Sequence, residues 1–82
     1  MTKFESTLRA IAEQPTQASI AWRDIENLFK SLGATIHERK GSRILIELEG
    51  RRFHVHRPHN RKEAGKELVN RVREFLRETG HL

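Results

Sequence analysis

Apolar residues recur at helical spacing in three stretches of this chain and alternate with polar ones in its middle. Phe4, Leu8, Ile11 and Ala12 fall three or four residues apart, behind a Thr2-x-x-Glu5 capping box and ahead of Pro15, and predict a first helix over residues 3–14. Gln14 to Ser19 is polar linker. Trp22, Ile25, Leu28, Phe29 and Leu32 form the stripe of a second helix, with Ile20 and Ile25 placed as a hydrophobic staple around Ala21, and Gly33 as the stop. Leu68, Val69, Val72, Phe75 and Leu76 give a third stripe that Gly80 closes; its helix is expected from about Lys66, although Asn60 with Glu63 offers an earlier cap.

Between the second and third helices the period changes to two. A two-residue Glu49-Gly50 turn makes Ile44 face Val55, Ile46 face Phe53, Arg43 face His56, Leu45 face His54 and Glu47 face Arg52. Thr35 to Arg39 reads as a preceding strand. A three-residue Lys40-Gly41-Ser42 turn puts Ala34 and Ile36 on the side of Ile46 and Leu48, whereas a two-residue turn puts Ile36 on the wrong face. The predicted fold class is α+β, in the order α-α-β-β-β-α, with helices on one face of a three-stranded antiparallel sheet. The other face then carries Thr35, His37, Arg39, Arg43, Leu45, Glu47, Arg52, His54 and His56, with Lys40, Arg51, Arg57 and His59 near its edges.

Length holds this to one domain, residues 1–82, because a chain of 82 residues buries only roughly 60 to 65 % of its unfolded surface and supports a single layered core. Sixteen Lys and Arg against eleven Asp and Glu leave a formal charge of +5, which favours a polyanionic partner, nucleic acid above all. No cysteine is present, so disulfides and thiolate metal sites are excluded. The longest apolar run in the hairpin, Ile44 to Ile46, is far too short for a membrane span, and the first twenty residues lack a signal peptide's apolar region; a cytoplasmic protein without membrane contact is expected.

Any one charged residue on the open face is ordinarily solvated surface, and Glu47 with Arg52 is an ordinary cross-strand pair. Their clustering points further. Guanidinium groups hold phosphates, and an imidazole, which titrates near neutrality, moves protons, as RNA cleavage through its own 2′-hydroxyl requires. Expected phosphate-binding residues are Arg39, Lys40, Arg43, Arg51, Arg52 and Arg57; expected proton-transfer residues are His56 first, then His54 and His59. The H-x-H-x-x-H spacing of those histidines also admits zinc, but flanking arginines repel a dication and no carboxylate is placed to orient the rings, so neither metal nor small-molecule cofactor is expected. Stacking of bases on aromatics is not expected, because Trp22, Phe29, Phe53 and Phe75 fall on core stripes. A DNA-binding regulator using the basic helix around Arg71, Arg73 and Arg77 lacks helix-turn-helix spacing.

Four segments carry a family resemblance: W-R-D-I-E-N-L-F-K-S-L-G-A from Trp22 to Ala34, K-G-S from Lys40 to Ser42, H-R-P-H from His56 to His59, and V-R-E-F-L-R-E-T-G from Val72 to Gly80. In order and spacing the chain from Ile20 to Gly80 resembles the HicA family, toxins of HicA-HicB toxin-antitoxin systems. The resemblance implies a core over residues 20–82 with a fold like a double-stranded-RNA-binding domain, residues 1–19 being a helical extension and linker. It also implies cleavage of single-stranded mRNA, inhibition of translation, and a HicB-type antitoxin that covers the active surface. HicA proteins commonly carry a catalytic histidine directly after Gly-Ser, where this chain has Arg43. That role does not transfer, since arginine stays protonated and cannot act as a base, and His56 across the ladder is the expected replacement. The alternative is a HicA-like module that binds RNA or antitoxin without cutting.

Overall fold

The computed structural model describes residues 2–82 as three helices and one sheet: α1 (Lys3–Ala12), α2 (Trp22–Ser31), β1 (Thr35–Glu38), β2 (Arg43–Leu48), β3 (Arg51–His56) and α3 (Lys66–Glu78). The sheet is antiparallel in the order β1-β2-β3. Both turns set the predicted register. Arg43 faces His56 and Glu47 faces Arg52 on one side, while Ile36 faces Ile46 on the other. The hairpin turn places Glu49 at φ 52 and Gly50 at φ 76, the pair of positive values that a two-residue turn with the right twist demands.

Helix ends follow their local chemistry. Thr2 and Glu5 form the capping box of α1. That helix stops at Ala12, two residues before the expected end, because Glu13 is already extended (ψ 143) and the residue before Pro15 is biased away from helical backbone. Gly33 and Gly80 both close their helices in left-handed backbone, at φ 89 and 82. In each case the next residue bonds back to the last turn: Ala34 N–H donates to Phe29 O at 3.0 Å and His81 N–H to Leu76 O at 2.8 Å. The Asn60 cap does not form, and α3 begins after Gly65.

One face of the sheet is covered. Phe29 of α2, Phe53 of β3 and Phe75 of α3 meet with ring centroids 4.9 to 6.3 Å apart, and Ile25, Leu28, Ile44, Ile46, Val69, Val72 and Leu76 close around them. α1 adds Ile11, fully buried, to this same core. Arg73, 5 % exposed, fastens it there. Its guanidinium donates to Ile11 O at 2.8 Å, Glu13 O at 3.2 Å, Thr16 Oγ1 at 3.0 Å and Asn70 Oδ1 at 2.9 Å, satisfying the orphan carbonyls at the end of α1.

The segment between β3 and α3 is pinned rather than loose. Trp22 N–H donates to Lys62 O, Ala64 N–H to Ile20 O and Gly65 N–H to Ala18 O, at 2.8, 2.8 and 3.0 Å, so residues 57–65 run beside the linker that leads into α2.

Candidate nucleic-acid interface and active site

His56 ends β3 on the exposed face, directly opposite Arg43. The Lys40–Ser42 turn comes up against it: Ser42 Oγ lies 3.3 Å from His56 Nδ1, and Arg57 N–H donates to Ser42 O at 2.9 Å. The Gly-Ser-Arg segment and His56 thus form one small surface. Arg39 joins it, its N–H donating to Arg43 O at 2.9 Å one step beyond β1. If Nδ1 carries the imidazole proton it donates to Ser42 Oγ, leaving Nε2 as a free base; the other tautomer makes Ser42 the donor and Nε2–H an acid.

The remaining expected residues divide. His54 is on the same strand face, two residues from His56, and is exposed. His59 lies beyond Pro58, outside the ladder, and among the described residues no three His, Asp or Glu side chains gather as metal ligands. Lys40 is exposed in the turn beside Arg39. Arg51 and Arg52 start β3, about 17 and 13 Å from His56 at roughly 3.3 Å per residue. Arg52 Nε donates to Glu47 Oε2 at 3.3 Å, and Glu47 also meets His37 Nε2 at 2.7 Å. These bonds, His37 foremost, hold the Glu47 carboxyl below its ordinary pKa. The open face is therefore not a uniform field of free cations.

Arg57 differs from the other expected cations in already holding two carboxylates, although it lines the groove beside His56 with Arg61 and Lys66. The chain alternates beyond β3, so its side chain turns toward the helix side. There its guanidinium forks onto Glu38, at 2.7 and 2.6 Å, and its Nε donates to Glu26 of α2 at 2.5 Å. Glu38 is held below its ordinary pKa by this fork, and Trp22 Nε1–H completes Glu26. Leu45 also departs from expectation: it belongs to the open face but is only 4 % exposed, lying between His37 and His54 on the neighbouring strands.

Three cations missing from the expected set stand beside His56. Arg71 of α3 reaches the free edge of β3, where its Nη2 donates to His54 O at 2.8 Å and its guanidinium sits 5.2 Å from the Phe53 ring centre. Arg61 and Lys66 flank the start of α3, both exposed. Helical periodicity marks Arg71 as a boundary position beside Leu68 and Val72, but no spacing within the sequence says that α3 passes the edge of β3.

A family model described as "HicA toxin of bacterial toxin-antitoxin" matches residues 22–80. No curated protein and no solved structure matches the chain.

Proposed function

Because the chain belongs to the HicA toxin family of bacterial toxin-antitoxin systems, we propose that it is a metal-independent mRNA interferase that inhibits translation and is neutralised by a HicB-type antitoxin in the cytoplasm. The observation that supports this reading is the contact between Ser42 and His56 with Arg43 opposite, an imidazole beside the Gly-Ser-Arg segment from the neighbouring strand. His56 is the proton-transfer residue. With Nε2 free it takes the proton of a 2′-hydroxyl, O2′ attacks the adjacent phosphorus, the P–O5′ bond breaks, the leaving 5′-oxygen takes up a proton from water, and the His56 imidazolium returns its proton to the solvent. Products are a 2′,3′-cyclic phosphate and a 5′-hydroxyl. Arg43 and Arg39 neutralise charge that gathers on the phosphoryl oxygens.

Induced expression of wild type and His56→Gln in a bacterial host, with growth and intact mRNA followed together, tests this. Growth arrest with mRNA loss is expected for wild type alone; equal toxicity of the variant removes His56 from the chemistry. A binding-only reading has one specific point in its favour, the cation at Arg43 where the family commonly has its base. On that reading purified wild type retards single-stranded RNA without shortening it.

A further inference from the structure

His56 stands on a ridge between two grooves. One runs between β3 and the start of α3, along Pro58, Arg61, Gly65 and Lys66; the other runs along Arg39, Arg43, Ile44 and His54. Each has a volume of about 470 Å³, and Val55, His56 and Arg71 line both. Apart from His54 and His56, the residues lining them include no aromatic side chain. Among the described residues, Arg39, Arg43, Arg61, Lys66 and Arg71 have no carboxylate within 4.0 Å, and the grooves contribute a single acidic residue, Glu67. The Arg61 guanidinium passes close over Gly65, where a Cβ would lie 3.1 Å from Nη2.

The centre of the open sheet face is different. Leu45 occupies it, and Glu47 engages both His37 and Arg52. A phosphate chain laid flat across β1, β2 and β3 meets charges that are already compensated. Passing over the edge of β3, it meets uncompensated cations on both sides of the proton-transfer residue.

We infer that single-stranded RNA crosses the β3 edge at His56, with the phosphates on one side of the scissile bond held by Arg39 and Arg43 and those on the other by Arg61 and Lys66. Arg71, common to both grooves, is the positioning residue between them. This rests on the RNA-cleaving reading above and adds the path of the substrate. With cations as their main lining and no Phe, Trp or Tyr among it, the grooves grip chiefly the backbone.

The test uses a fluorescent 2′-O-methyl RNA of about twelve nucleotides, long enough for both grooves and unable to cleave itself. Anisotropy titrations over a salt series compare wild type, Arg61→Ala/Lys66→Ala, and Arg9→Ala/Lys30→Ala; the last loses the same two charges from exposed positions on α1 and α2. The groove double variant is expected to bind about tenfold more weakly and to lose about 1.4 from the slope of log affinity against log salt, at roughly 0.7 per phosphate contact on a single strand. The control double variant is expected to stay within about twofold of wild type. Undiminished binding by the groove variant, or equal weakening of both, overturns the path while RNA binding itself stands. Failure of wild type to bind either this oligonucleotide or unmodified RNA overturns the functional reading and the path together.

Discussion

The helix-covered side of the sheet and the His56 end of the hairpin use arginine in opposite ways. Beneath the helices, Arg73 satisfies two carbonyls and two side-chain oxygens, and Arg57 binds Glu38 and Glu26; both cations are consumed by the fold. At the hairpin end, Arg39, Arg43 and Arg71 have no carboxylate partner among the described residues. A buried guanidinium has to recover in hydrogen bonds what it lost in hydration, whereas an exposed one keeps its water and its capacity to meet an anion. Net charge alone, +5 over the chain, conceals this division.

Removing a consumed cation should therefore damage stability, and removing a free one should damage binding. The largest effect is expected for Arg73→Ala, which strands the Ile11 and Glu13 carbonyls: a loss of about 2–4 kcal/mol in urea unfolding, with α1 the first segment to gain amide exchange. A change within experimental error would mean that water replaces the clamp and that the contrast is false. Next comes Arg39→Ala/Arg43→Ala, expected to leave unfolding within about 0.5 kcal/mol while RNA affinity falls roughly tenfold. A comparable loss of stability would place these residues with the consumed group.

The smallest effect concerns pH. The folded Glu38 and Glu47 carboxyls lie below the ordinary value of 4.5, so their contribution is present above that value and is lost as pH falls through their lower folded values. Thermal midpoints should decline as pH drops below about 4.5, and Glu38→Gln should make that decline shallower. An unchanged acid limb would show that the fork between Arg57 and Glu38 adds nothing to the fold.

The sheet was legible because its information is local. Alternation identifies the faces, and turns of two and three residues then determine which side chains oppose each other, including Arg43 with His56 and Ile36 with Ile46. The same holds for Gly33 and Gly80 as helix stops. The carboxylate partners of Arg57, Glu38 and Glu26, were not foreseen because they come from elements 19 and 31 residues away. Arg71, Arg61 and Lys66 were missed for a related reason: their nearness to His56 depends on how α3 and its preceding segment lie against β3, which no periodicity encodes. Conversely, the Arg43 and His56 pairing was visible from the turn alone, while the roles proposed for them are not read from the register.

The Arg73 clamp also sets a timetable for the chain's manufacture. Arg73 and the Ile11 carbonyl it binds are 62 residues apart, and Phe75 completes the aromatic cluster begun by Phe29. Most of the chain must be synthesised before the first helix has its fastening or the core its third ring. A nascent chain lacking α3 holds an amphipathic helix without its clamp and a sheet only partly covered, so maturation is gated by the synthesis of α3. A ribosome that stalls before α3 would release a polypeptide with the hairpin's histidine but without the frame that presents it.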